Sequence, residues 1–202
     1  MKTYQASLFA AAAFAIAFSA QAQDYRTQAI SMMNRDFHAK GIAHKERLNE
    51  DALQLVCNRS QNNPPKGIAE TLQKDQLAAI KYPADGKFLG DWKAGEKIAQ
   101  TGSGMTWSDK AGQANGGSCY NCHEIGPNET SFGTVGNSLA HFGKTRGNSA
   151  EMQKYVYGKI YNAKAFSLCS KMPRFGHSET LTEKQIKDLV ALLLDPNSPV
   201  NK

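Results

Sequence analysis

The apolar positions of this chain recur at helical spacing. The most regular set is Ile186, Leu189, Val190, Leu193 and Leu194, which follows a Thr182/Gln185 pair with capping-box spacing and stops before Pro196. That pattern predicts a helix with one buried face. A second helix is expected from about Asp91, with Trp92, Ile98 and Ala99 on its inner side, and a third from Ser149 to about Asn162. Upstream, Ile30, Met33 and Phe37 form one stripe and Leu48, Ala52, Leu55 and Val56 another, with Gly41 as the break between them. Asn62-Asn63-Pro64-Pro65 reads as a turn, placing Pro65 in the first turn of a helix that carries Ile68, Leu72, Leu77 and Ile80. No alternating run is long enough to support a sheet, and no internal repeat is present. The expected fold class is all-α.

Tyr82-Pro83-Ala84-Asp85-Gly86 punctuates the chain and divides an N-terminal helical extension (23–83) from a second domain (84–202). The extension is too short to bury much core alone and must pack on that domain or on a partner. Residues 1–22 read as a cleaved signal peptide: Lys2, an apolar run from Leu8 to Phe18, and Ala20-Gln21-Ala22 as the A-x-A cleavage sequence. No later run approaches the roughly 20 apolar residues of a membrane span. The mature protein is therefore expected in the oxidising periplasm. Of 24 basic and 18 acidic residues, only Lys2 falls in the signal. The remaining positive excess is dispersed, without a Lys/Arg run or a reading motif, which excludes nucleic-acid binding and favours an acidic protein partner.

Against this background the sharpest feature is Cys119-Tyr120-Asn121-Cys122-His123. C-x-x-C-H is the attachment sequence of a c-type haem: both cysteines add to the vinyl groups and the histidine becomes an iron ligand. One covalent haem c is expected. The same C-x-x-C could be a thioredoxin-like pair or half a zinc site. However, Gly116-Gly117-Ser118 precedes it rather than a strand, and no further thiolates or imidazoles follow at regular spacing. Beyond it, Gly126, Gly133, Gly136, Gly143 and Gly147 suit backbone wrapped closely round a flat cofactor. Met172-Pro173 lies where such a chain returns to the opposite face, so Met172 is assigned as the second axial ligand. Met105, Met152, His141 and His177 are the other candidates. A neutral thioether favours reduced iron and leaves no position open to substrate. This order of elements matches a class I cytochrome c fold. Lys171 and Arg174, with Lys144 and Arg146, form either a basic docking rim or scattered solvated charges. Cys57 and Cys169 remain, and in an oxidising compartment an even remainder suggests a disulfide. The alternative makes Cys169 a thiolate ligand or a reactive site.

Ser118–His123, the run Gly136-Asn137-Ser138-Leu139-Ala140-His141-Phe142-Gly143-Lys144, the segment Met172-Pro173-Arg174-Phe175-Gly176 and the closing Asp195-Pro196-Asn197-Ser198-Pro199-Val200 resemble the monohaem X subunit (SoxX) of the SoxAX sulfur-oxidation cytochromes. The likeness runs from about Trp92 onward. Tyr82–Lys87 and the cysteine-bearing extension resemble the longer form of that subunit. The resemblance implies a periplasmic heterodimer with a SoxA-like subunit, an L-cysteine S-thiosulfotransferase that oxidatively joins thiosulfate to a carrier-protein cysteine. Its catalytic centre would lie in the A subunit, and this chain would pass electrons to a downstream acceptor cytochrome. It further implies Cys119 and Cys122 as attachment points, His123 as proximal ligand and Met172 as distal ligand. Where such cytochromes commonly have Gly-Pro, this chain has Gly136-Asn137, so the partner of His123's other nitrogen is the carbonyl of either Asn137 or Pro127. The competing functions are a self-contained haem enzyme, such as a thiosulfate dehydrogenase or peroxidase, and a haem-based sensor.

Overall fold

The computed structural model describes residues 25–202, so the signal peptide expected over 1–22 lies outside the described residues. The protein is helical. The described residues contain no β-strand, and an isolated antiparallel bridge joins Lys40 to Ala43. The chain divides after Asn49 into two compact units.

In its described part the first unit has a helix, α1, over 25–36 and a 3-10 turn at Lys45–Leu48. Ile30, Met33 and Phe37 do share a stripe, but all three are exposed, and no residue from 25 to 49 is buried. So short a segment has too little apolar surface to close a core of its own.

The second unit holds six helices: α2 (Ala52–Arg59), α3 (Lys66–Ala78), α4 (Trp92–Gln100), α5 (Phe142–Arg146), α6 (Ala150–Tyr161) and α7 (Glu183–Leu194). Side chains start four of them. Asp51 with Gln54 and Thr182 with Gln185 form reciprocal capping boxes for α2 and α7, while the side chains of Asp91 and Ser149 cap α4 and α6. Pro65 precedes α3 as its cap instead of entering the first turn. The apolar stripe expected along α3 is not its packing face, since Ile68 and Leu77 are exposed and only Ile80, beyond the helix end, is buried. Amides attach it instead: Gln73 Nε2 donates to the Ala165 carbonyl (3.3 Å), and Asn162 Nδ2 donates to the Gln76 carbonyl (3.2 Å).

The core is organised by α4 lying against α7. Gly95 makes the approach possible, because a Cβ there would overlap the Asp188 carbonyl and stand 3.0 Å from Leu192 Cβ. The start of α4 is tied to the same helix by Asp188, whose buried carboxylate accepts the Asp91 N–H (2.9 Å) and the Lys184 ammonium (2.7 Å). Beside this pair, Phe88, Tyr82, Tyr157 and Tyr161 make successive ring contacts at 5.5–6.1 Å, and Tyr157 is fully buried. Gly95→Val would force α4 and α7 apart. It should cost about 2–3 kcal/mol, the scale of overpacking a close-packed core, and thermal unfolding monitored by circular dichroism would show it as a lowered midpoint.

A latch completes the unit. In the 3-10 turn Pro199–Asn201, Asn201 is buried; its Oδ1 accepts the Gly143 and Lys144 N–H groups (2.8 and 3.2 Å), and its Nδ2 donates to the carbonyls of Leu193 and Asp195 (3.1 and 2.9 Å). One amide thus fastens the five-residue α5 to the end of α7.

Candidate functional site

Cys119–Asn121 form a 3-10 turn entered through Ser118 in the left-handed conformation (φ 49°). The His123 N–H donates to the Cys119 carbonyl (3.0 Å), closing the motif into a tight turn. The loop that follows is stitched onto the motif, with Gly133 N–H to Tyr120 carbonyl (2.8 Å) and Gly136 N–H to Cys122 carbonyl (2.7 Å). Gly136 also seats the imidazole, since an added Cβ would overlap the His123 ring. The next residue supplies the ring's partner: Nδ1 of His123 donates to the Asn137 carbonyl at 2.7 Å. This selects Asn137 over Pro127 and leaves Nε2 as the acceptor nitrogen. Gly136→Ala should therefore displace the imidazole and destabilise the unit by about 1–3 kcal/mol, with loss of the native His123 ring signals by NMR.

His123, Cys119 and Met172 line one cavity of about 410 Å³. Most of its wall is apolar, with Ile125 and Leu139 from the wrapping loop, Val156 and Ile160 from α6, and Leu189 and Leu193 from α7. Thr145, Arg146 and Lys159 add a polar edge, and burial holds the Lys159 ammonium below its ordinary range. Cys122 is exposed, outside that lining. The alternative candidates Met105, Met152, His141 and His177 do not line the cavity.

The methionine is delivered by a segment anchored at both sides. Its N–H donates to Ser170 Oγ (3.1 Å), while the Gly176 and His177 N–H groups both donate to the Tyr161 carbonyl (3.1 Å). Gly176 is required there because a Cβ would overlap the Tyr161 ring. The cavity can thus offer a ligand one imidazole nitrogen from one segment and one thioether sulfur from another.

Cys119 and Cys122 are unpaired thiols, and burial pushes the Cys119 thiol up to about 12, so it is neutral and a poor nucleophile on its own at pH 7. Among the described residues no three His, Cys, Asp or Glu side chains converge as a metal-ion group.

Cys57 on α2 and Cys169 form the expected disulfide, with Cα atoms 5.6 Å apart. The bridge stands at a second cavity of about 330 Å³, to which Met172 also contributes. The four basic residues read as a possible rim do not gather in one place. Arg146 borders the first cavity, Lys171 and Arg174 line the second, and the backbone N–H of Lys144 belongs to the Asn201 latch. Lys159, Lys164 and Asn201 escaped the sequence reading. Isolated polar residues carry no periodic signal, and only tertiary placement gives these three a role.

No family model matches the chain. It is 37% identical over 155 residues to a protein of Aquifex aeolicus (strain VF5) described as an uncharacterized lipoprotein; the match covers 76% of this chain and 73% of that protein. At that identity and coverage, the chain belongs to the same family as the Aquifex aeolicus protein.

Proposed function

We propose that this chain is an exported monohaem cytochrome of class I fold that acts as an electron-transfer subunit, and that its partner is a SoxA-like cytochrome with which it serves thiosulfate oxidation. The observation that carries the reading is the shared cavity: Cys119 of C-x-x-C-H, His123, whose Nε2 is left free by the Nδ1 bond, and Met172 line one largely apolar space. In this reading Cys119 and Cys122 hold haem c covalently and His123 and Met172 bind its iron. Arg146, Lys159 and Thr145 at the polar edge would pair with the two propionates, whose charge suits a cation that burial disfavours.

When bound, the group supplies one-electron exchange. The protein's share is positional. Asn137 fixes the tautomer and orientation of His123, the Ser170 and Tyr161 bonds hold the methionine segment, and the aliphatic wall excludes water. With His123 and Met172 both holding the group, no position would stay open to substrate, and substrate chemistry would belong to the partner. Export is supported by the disulfide and by the signal-like start of the sequence, and the relative's description as a lipoprotein agrees with it. No helix among the described residues is long and apolar enough to cross a membrane.

The test is expression with a c-type maturation system, followed by mass and pyridine-haemochrome spectra. The mature chain should carry one haem mass that a Cys119→Ser/Cys122→Ser variant lacks; two alkylatable thiols at these positions in the exported wild type would refute the assignment. For the partner, the chain alone should not join thiosulfate to a carrier cysteine, whereas addition of the A subunit should restore turnover. Full activity from this chain alone would transfer the chemistry to its own haem.

A further inference from the structure

We propose that the second cavity is a binding site for a small divalent oxyanion of the sulfate type. Its two walls are α2, with Gln54, Cys57 and Asn58, and the segment from Lys164 to Arg174; the Cys57–Cys169 bridge clamps one to the other. A second clamp is ionic, since Arg174, largely buried, pairs with Asp51 at the start of α2.

Three cations, Lys164, Lys171 and Arg174, line the hollow against one carboxylate, Glu50, while Asp51 is paired with Arg174. The Asp51 carboxylate is spent on Arg174 and on the Gln54 N–H, and the Glu50 carboxylate accepts from Asn58 Nδ2. What remains is an excess of donors. Among the described residues, Lys164 and Lys171 have no carboxylate within ion-pair distance, Gln54 uses its Oε1 on the Asp51 N–H and has no acceptor for Nε2, and the Ser170 hydroxyl accepts from Met172 N–H without a partner for its own proton. Two lysines, a glutamine with a spare amide N–H and a serine with a spare hydroxyl proton lining one hollow suit an acceptor with two negative charges and several oxygens. Burial, and then the neighbouring charges of Arg174 and Lys171, hold the Lys164 ammonium below its ordinary range despite the opposing pull of Asp51, an imbalance that a bound dianion would relieve. At about 330 Å³ the hollow has room for such an ion with its remaining water.

The site does not depend on haem for its donors, so it can stand or fall apart from the reading above. Met172 nonetheless borders both cavities, which places an anion here beside the thioether.

The experiment is a titration of the full mature protein with sodium sulfate against chloride at matched ionic strength, read by calorimetry and by amide NMR. Saturable binding is expected, with shifts confined to 50–58 and 164–174. Lys164→Gln/Lys171→Gln should weaken sulfate at least about ten-fold, the loss of one charge-assisted hydrogen bond or more, while Lys164→Arg/Lys171→Arg preserves it and Lys110→Gln leaves it unchanged. Acetate should bind at least about ten-fold more weakly than sulfate if charge and oxygen count are what the site reads. Non-saturable shifts spread over surface lysines, equal affinity in the glutamine variant, or acetate as tight as sulfate would each overturn the proposal.

Discussion

Met172→Ala in the haem-loaded protein is expected to keep the cofactor attached and to lower the reduction potential by on the order of 0.1 V, a fraction of the roughly 0.8 V that axial ligands command. Attachment survives because Cys119 and Cys122 lie in a different segment, stitched to the wrapping loop by the Gly133 and Gly136 N–H bonds. The potential falls because a soft, neutral ligand that favours reduced iron has gone. The fold should persist. Phe175 and Gly176 anchor that segment independently, through burial of the ring and through the Gly176 N–H to Tyr161. The iron then becomes accessible to imidazole or cyanide, and the thioether-to-iron band in the near infrared disappears. An unchanged spectrum and potential would remove Met172 from the ligand set. His123→Ala gives the contrasting outcome, an expected failure to yield stable haem-loaded protein, since the motif loses its ligand as well as the ring seated on Gly136 and Asn137.

The largest effect on stability is expected from Cys57→Ser/Cys169→Ser. The bridge closes a loop across a separation of 112 residues, which by chain entropy corresponds to about 5 kcal/mol of destabilisation of the unfolded state, less whatever strain the native bridge carries. A melting-temperature loss on the order of 10 °C follows for a unit of this size. The loss should be confined to folding, because neither cysteine lines the main cavity. Haem content per folded molecule should stay at one. A melting point within 2 °C or so of wild type would mean that the Asp51–Arg174 pair and the α3 amide bonds already hold these segments together.

What could be read from the sequence is what is local. The start and face of α7 were legible because Thr182, Gln185 and the Ile186–Leu194 repeat carry cap and stripe within one short window. For α6 the expected span from Ser149 to about Asn162 is close to the observed Ala150–Tyr161. The disulfide followed from an even number of thiols left over in a chain whose start reads as a signal peptide. Long-range choices were not legible. Two carbonyls could have met His123, and the decision for Asn137 rests on the missing side chain at Gly136, which lets the ring approach. The apolar positions of α3 misled for a similar reason: Gln73 donates to the Ala165 carbonyl and Gln76 accepts from Asn162, so polar bonds set the orientation that burial was expected to set. Likewise, Lys164 gains meaning only because the bridge brings α2 against its segment.

The Asn201 latch bears on the order of assembly. A helix of five residues does not persist by itself, and α5 contributes Phe142, Thr145 and Arg146 to the cavity wall. That wall cannot close until Pro199–Asn201 has arrived and α7 has packed, because the same amide joins the two. In the exported cytochrome proposed above, a chain delivered N-terminus first would present Cys119–His123 while one side of the pocket is still open. The proposed haem would then be loaded laterally at that stage, with the final turn acting afterwards as a stopper.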